Sequence, residues 1–189
     1  MKTRLTGIVA ATLMIGLPAM AMAQAPAAGQ PAAPPNANIV VENPTYTTIP
    51  LEIDVNRPVA EVWARIGKYC GIAEWLPVVK SCKMLSGVEG EVGSVRSVAN
   101  EVLVGKTQYS YTYTQTPRAG RPYNLYHGTL EARPVTDKTS KIVYTLMYDN
   151  SMLPDDAARE ADKQRRITTF TRALNNMKTL AEGGTLPPK

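Results

Sequence analysis

One long helical segment follows a series of strand-like segments in this chain, and this order limits the folds that it can adopt. Apolar residues recur at helical spacing within residues 155–182. The stripe consists of Ile167, Phe170, Leu174, Met177 and Ala181. Asp155 and Asp156 suit the start of a helix, and Gly183 suits its end. An antiparallel sheet must cover its apolar face, and this helix is the only segment large enough to do so, which predicts an α+β fold.

Six segments before the helix have the alternating pattern of strands with one buried face. They are residues 46–56, 81–88, 94–104, 107–115, 123–133 and 141–148. Pro58 and the apolar residues after it predict a short helix that ends at Gly67. A second helical turn at 72–76 ends before Pro77. Several strands place tyrosines on one face, which predicts a sheet with one side rich in tyrosine and aliphatic residues.

The first half of the long helix predicts a cavity. The face that continues the apolar stripe carries small or polar residues, namely Ala157, Ala161 or Glu160, Gln164 and Thr168. Side chains of this size do not reach a strongly curved sheet, so we expect unfilled volume lined by tyrosines beneath them. A concave, mostly apolar pocket with a few hydroxyl groups is the usual form of a small-molecule site.

Five short motifs carry a family resemblance: RPVAEVW at 57–63, WLP at 75–77, GSVR at 93–96, YSYTY at 109–113 and YHGTL at 126–130. Through them the chain resembles the START/Bet v 1-like (SRPBCC) superfamily, and most closely its bacterial polyketide cyclase/dehydrase-like members, over residues 51–180. The resemblance implies a helix-grip fold, in which a curved antiparallel sheet wraps around a long C-terminal helix and two short helices follow the first strand. It specifies the fold more than the activity, because members range from lipid carriers to cyclases.

The resemblance also implies that Trp75, Leu76 and Pro77 lie near the pocket mouth and that Arg96 points into the cavity. Arg96 shares its parity with the apolar Val98, which agrees with an inward position. A buried guanidinium needs a partner, either a carboxylate of the protein or an acidic or carbonyl group of a ligand. The alternative is a surface arginine whose aliphatic part covers apolar area.

These arguments together predict the following ligand-binding residues: Trp75, Leu76, Pro77, Arg96, Val98, Tyr109, Tyr111, Tyr113, Tyr126, Tyr144, Tyr148, Gln164 and Thr168. No catalytic residue is assigned. His127 lies on the strand parity opposite to Tyr126, so we expect it to face solvent rather than act as a general base. The basic residues Lys163, Arg165 and Arg166 alternate with acidic ones, which is typical of a solvated helix face.

The N-terminus indicates export. Residues 1–23 combine a basic start, an apolar run and a small-residue cleavage site that ends at Ala23, as in a signal peptide. The Ala- and Pro-rich residues 24–45 predict a disordered linker, residues 46–183 the folded domain and residues 184–189 a short tail. We therefore expect a periplasmic or secreted protein without stable membrane insertion after cleavage. In an oxidising compartment, a disulfide between Cys70 and Cys82 is the favoured alternative to two free thiols.

Composition excludes several functional classes. One histidine and two cysteines cannot form a Cys/His zinc site, and we expect neither a metal nor another cofactor. The net charge of +5 falls to +3 without Lys2 and Arg4, which is too small to indicate nucleic-acid binding.

The leading hypothesis is an exported protein that binds one hydrophobic, partly oxygenated small molecule of lipid or polyketide type. A cyclase or dehydratase that needs no metal, and a protein-interaction module with a filled core, are the alternatives; the sequence does not indicate an oligomeric state.

Overall fold

The computed structural model describes residues 43–116 and 123–189. The elements run in chain order as β1 (Tyr46–Val55), α1 (Val59–Ile66), a 3-10 turn (Tyr69–Gly71), α2 (Ile72–Trp75), β2 (Met84–Ser86), β3 (Val95–Arg96), β4 (Glu101–Thr107), β5 (Ser110–Gln115), β6 (Tyr126–Pro134), β7 (Ser140–Asp149) and α3 (Asp156–Ala181). In the described ranges, the strands form one antiparallel sheet in the order β1-β7-β6-β5-β4-β3-β2. The predicted helix-grip architecture is confirmed.

The strand predicted at 94–104 is in fact two strands joined by a tight reversal. Residues 97–100 separate β3 from β4, and Ala99 and Asn100 have φ values of 50° and 54°, in the left-handed region. The reversal pairs Arg96 directly with Glu101 across the two strands. The alternating pattern did not reveal this turn, because the turn contains no glycine or proline.

Helix α3 begins and ends where the sequence predicts. The carboxylate of Asp155 accepts a hydrogen bond from the backbone N–H of Ala158 at 2.8 Å, and Gly183 has a φ of 90°. Its C-terminal half buries Phe170 and Met177 with their neighbours against α1, α2 and the sheet. The stripe predicted for this half is confirmed, apart from Ile167, which is only partly buried.

The first half of α3 presents a different face from the predicted one. Ala157, Ala161, Gln164 and Thr168 are all exposed to solvent, so the face that they form does not cover the sheet. The inward positions include Asp162, which is 2% exposed. This prediction was wrong because the inward face continues through charged residues, which a search for apolar periodicity does not count.

Tyr113 and Gly128 form a close cross-strand pair in the concave face of the sheet. They are opposite each other on β5 and β6, and the ring of Tyr113 occupies the space that a side chain at position 128 would need. A Cβ atom at Gly128 would lie 2.3 Å from the ring and its hydroxyl oxygen. The hydroxyl group of Tyr113 is 2.8 Å from that of Tyr144, so this glycine positions a buried tyrosine pair.

Replacing Gly128 with alanine should therefore destabilise the fold. We expect Gly128→Ala to lower the free energy of unfolding by about 1–3 kcal/mol, because the methyl group overpacks against Tyr113. The matched control is Gly105→Ala on β4, where the new methyl group would approach only Thr112, at 3.9 Å. Urea denaturation of both variants measures the difference, and equal midpoints would contradict the close packing.

A disulfide joins Cys70 in the 3-10 turn to Cys82 before β2, with a Cα–Cα distance of 5.4 Å. A link across a loop of this length stabilises a fold by about 3 kcal/mol in the chain-entropy description.

The predicted signal peptide and residues 24–42 of the predicted linker lie outside the described residues. Within the described ranges, no helix combines the length and apolar character that a membrane crossing requires.

Candidate functional site

A pocket of about 380 Å³ lies between the concave face of the sheet, the segment after α2 and helix α3. Its volume falls within the range of small-molecule sites. The apolar wall consists of Ile72, Leu76, Val78, Val79, Val98 and Phe170. The sheet side adds Glu101, Tyr113, Gln115, Tyr123 and Tyr126, and the helix side adds Arg165, Arg166 and Thr169. The pocket thus combines an apolar wall with charged groups on two opposing elements.

Arg96 is fully buried, and the carboxylate of Glu101 compensates its charge. Its Nε donates to Glu101 Oε2 at 2.6 Å, its Nη2 lies 2.5 Å from the same oxygen, and its Nη1 donates to the carbonyl of Tyr69. The rings of Tyr69 and Tyr113 lie 4.1 and 4.8 Å from the guanidinium carbon. The surface alternative for Arg96 is therefore wrong. Arg96 lies behind the pocket wall, and its partner Glu101 forms part of that wall.

Glu101 connects this buried pair to the pocket through a chain of hydrogen bonds. Its Oε1 accepts from Gln115 Nε2 at 2.8 Å, and Gln115 Oε1 accepts from the hydroxyl of Tyr123. Burial raises the pKa of the Glu101 carboxyl group, with Arg96 acting in the opposite direction. Burial alone would lower the pKa of Arg96, but its interactions with Tyr111 and Glu101 outweigh this effect and raise it. Arg96 therefore remains a cation.

A second buried charge cluster lies on α3. Asp162 accepts from Arg166 Nε at 2.7 Å and from Arg165 Nη2 through its other oxygen. The guanidinium carbon of Arg166 lies 4.2 Å from the ring centre of Tyr148, and Tyr123 and Tyr126 also contact it, at 5.2 and 5.3 Å. The prediction of a solvated face is wrong for Asp162 and Arg166, because their pairing allows both to lie inside. These side chains lie between the sheet and α3, where we expected unfilled volume lined by tyrosines.

The C-terminal Lys189 binds α2 and the segment after it. Lys189 Nζ donates to the carbonyl oxygens of Ala73, Leu76 and Val79 at 2.5 to 2.7 Å. Leu76 and Val79 are pocket residues. The ammonium group therefore holds the segment after α2 in the position that shapes the pocket.

The predicted ligand-binding residues separate into three groups. Four of them line the pocket: Leu76, Val98, Tyr113 and Tyr126. Six are buried or partly buried in the structure but do not line it: Trp75, Pro77, Arg96, Tyr111, Tyr144 and Tyr148. Tyr148 lies beneath Arg166. The last three were placed wrongly: Tyr109 lies in the β4–β5 turn, and Gln164 and Thr168 lie on the exposed side of α3.

Sequence reasoning missed Glu101, Gln115, Tyr123, Arg165, Arg166 and Thr169 as pocket residues. A signal existed for the helix residues, because Asp162, Arg165 and Arg166 have the i, i+3, i+4 spacing of paired side chains. Glu101 could have been considered as the partner that Arg96 requires. The turn that places these two residues side by side was not visible in the strand pattern.

The hydroxyl groups near the pocket are neutral at physiological pH. Burial raises the pKa of the Tyr148 hydroxyl to about 12, and it raises the pKa of Tyr113 and Tyr126 as well. His127 lies on the outer face of β6, on the parity opposite to the buried Tyr126. In residues 43–116 and 123–189, no group of three or more His, Cys, Asp or Glu side chains is arranged to hold a metal ion. The pocket is therefore equipped for hydrogen bonding and charge pairing.

Removing one member of the buried Arg96–Glu101 pair should lower the free energy of unfolding far more than removing a surface charge. We expect Arg96→Met to lower the free energy of unfolding by about 3–5 kcal/mol, because it leaves Glu101 buried without its counterion. Lys106→Met, which removes an exposed pair with Glu91, should cost less than about 1 kcal/mol. Denaturant unfolding compares the two. A further Glu101→Gln change should recover part of the loss, and equal costs for both single variants would contradict the assignment.

The architecture is that of helix-grip proteins. A family model described as polyketide cyclase/dehydrase and lipid transport matches residues 47–182, and the chain belongs to this family. A search of curated proteins finds no significant match.

Solved structures show the same fold. A protein from Nitrosospira multiformis is 25% identical with a TM-score of 0.57, and the alignment covers 70% of this chain and 94% of that one. The aromatase/cyclase from Streptomyces sp. R1128 is 17% identical with a TM-score of 0.57, covering 75% of this chain and 100% of the other. Ara h 8.0201 is 16% identical with a TM-score of 0.50, covering 70% and 98%. The last two likenesses concern the fold alone.

Proposed function

We propose that this protein binds one hydrophobic, partly oxygenated small molecule in the pocket between the sheet and α3. The observation that carries the proposal is the composition of the pocket, which combines six apolar residues with hydrogen-bonding groups in a volume of about 380 Å³. Burial of apolar ligand surface would supply most of the affinity, at about 25 cal/mol per Å². The polar groups would fix the orientation of the ligand.

Binding is favoured over catalysis by the state of the polar groups. In the enzyme alternative, Arg96 and a tyrosine would polarise carbonyl groups and transfer protons. Arg96 instead lies behind the wall with Glu101 as its partner, so it is not placed to polarise a carbonyl group in the pocket. The likeness to an aromatase/cyclase is a likeness of fold, and the pocket itself favours a carrier or binding protein.

A tryptophan introduced into the pocket should weaken ligand binding, whereas a tryptophan at an exposed position outside the pocket should not. We expect native protein to enhance the fluorescence of N-phenyl-1-naphthylamine, a neutral apolar probe, and 2-naphthol to displace it. Val98→Trp should weaken the probe at least about 10-fold, because Val98 lines the pocket and the indole occupies its volume. Val104→Trp, at an exposed position of β4, is the matched control.

Equal probe binding by the two tryptophan variants would place the ligand outside this pocket. No binding of the probe by native protein, together with no bound molecule in native mass spectrometry of protein isolated from its own host, would reject the binding function. Thermal unfolding of each variant establishes that a loss of binding is not a loss of fold.

We also propose that the protein is exported to the periplasm or secreted. The N-terminal pattern that ends at Ala23 supports this proposal, and so does the disulfide between Cys70 and Cys82, since disulfides persist in oxidising compartments. On expression of the full chain in a bacterium, the intact mass should correspond to a protein that begins at Gln24. Ala23→Leu should leave the chain uncleaved, and native chain that keeps residues 1–23 and free thiols would contradict export.

A further inference from the structure

We infer that the ligand is an amphiphile with a single carboxylate, and that Arg165 binds this carboxylate at the open end of the pocket. The inference rests on the proposed function and adds the charge and the orientation of the ligand. It replaces Arg96, the anchor expected from the sequence, with a residue on α3. The charges, the geometry and the exposure of the α3 cluster support it independently.

The charge cluster on α3, which consists of Asp162, Arg165 and Arg166, carries one more positive charge than negative charge. Asp162 is the shared partner of two guanidinium groups: Arg165 binds one carboxylate oxygen and Arg166 binds the other, at 2.7 Å. The nearby Glu160 and Lys163 pair with each other at 3.8 Å, so they leave the balance unchanged. A carboxylate with one charge neutralises one of the two arginines. The helix side of the pocket therefore carries a net positive charge of one, which a singly charged anion would balance.

On the sheet side of the pocket, by contrast, positive and negative charges balance. Glu101 is the pocket residue there, and Arg96 behind it supplies one compensating charge. A ligand carboxylate placed against Glu101 would meet a buried carboxylate whose counterion is already engaged. Like charges at short distance disfavour this orientation. The anionic group of a ligand is therefore directed towards α3.

The two arginines of the cluster have different freedom to bind a ligand. Arg166 is largely enclosed: its side chain is 13% exposed and three tyrosine rings surround it. The side chain of Arg165 is 66% exposed, and Asp162 holds it from one side. A guanidinium has five N–H donors, and its planar fork matches a carboxylate. Arg165 is thus oriented by Asp162 and keeps donors for a ligand.

The exposure of the walls sets the direction of the ligand. Glu101 is 2% exposed and marks the closed end, whereas Arg165 marks the open end. The carboxylate would remain partly hydrated beside Arg165, which avoids the cost of burying a charge. The apolar part would extend inwards past Phe170 and Leu76. This is the arrangement expected for a hydrophobic acid.

The test compares two ligands of nearly the same shape that differ in charge. We expect isothermal titration calorimetry of the native protein to show about 10-fold tighter binding of 2-naphthoate than of the neutral 2-naphthamide. Arg165→Met should remove this preference, because it weakens the binding of 2-naphthoate more than the binding of 2-naphthamide. Arg172→Met removes the same charge from an exposed position of the same helix outside the pocket, and it should keep the preference.

The outcomes separate this inference from the proposed function. Binding of both compounds with equal affinity would overturn the inference and leave small-molecule binding intact. A preference that survives Arg165→Met, or one that Arg172→Met abolishes equally, would also overturn it, because the charge effect would then not arise at Arg165. Failure of both compounds and of the neutral probe to bind would overturn the inference together with the proposed function.

Discussion

A fully buried arginine is the constraint on which the concave side of this sheet depends. Arg96 has no solvent exposure, and an uncompensated charge at such a position would be very costly. The turn at 97–100 places Glu101 directly opposite, at the cost of two residues with left-handed backbone conformation. Tyr69 contributes both a carbonyl oxygen and a ring face to the same guanidinium. Strand pairing, turn geometry and aromatic packing are therefore all tied to this one charge.

The same constraint decides where a pocket can exist. The interior contains two arginines that are surrounded by tyrosine rings, Arg96 on the sheet and Arg166 on α3. Their side chains occupy volume between the sheet and α3 that would otherwise be open to a ligand. The remaining space lies between the two charged groups and is bounded by Leu76 and Phe170. The result is a pocket at the lower end of the usual size range, with charged groups on two sides.

The sequence predicted the architecture because that architecture depends on periodicity and on local stop signals. The strand parities, the cap at Asp155 and the end at Gly183 each follow from a few neighbouring residues, and all are present. The interior was predicted less well, because its composition depends on pairs that are distant or charged. Arg96 required a partner, but only the three-dimensional turn identifies Glu101 as that partner. Asp162 and Arg166 looked like a solvated pair, since no local rule distinguishes a buried ion pair from an exposed one.

Arg96 and Arg165 are the same residue type, but the protein supplies them with different numbers of partners. Arg96 has a carboxylate of its own, a backbone carbonyl and two aromatic faces, so its charge is compensated within the protein. Arg165 shares its carboxylate with Arg166 and remains two-thirds exposed. A family resemblance can indicate that an arginine lies near the pocket, but it does not reveal how many carboxylates pair with that arginine. Since that count changes with single residues such as Asp162, related chains with the same fold are expected to differ in the charge of the ligand that they accept.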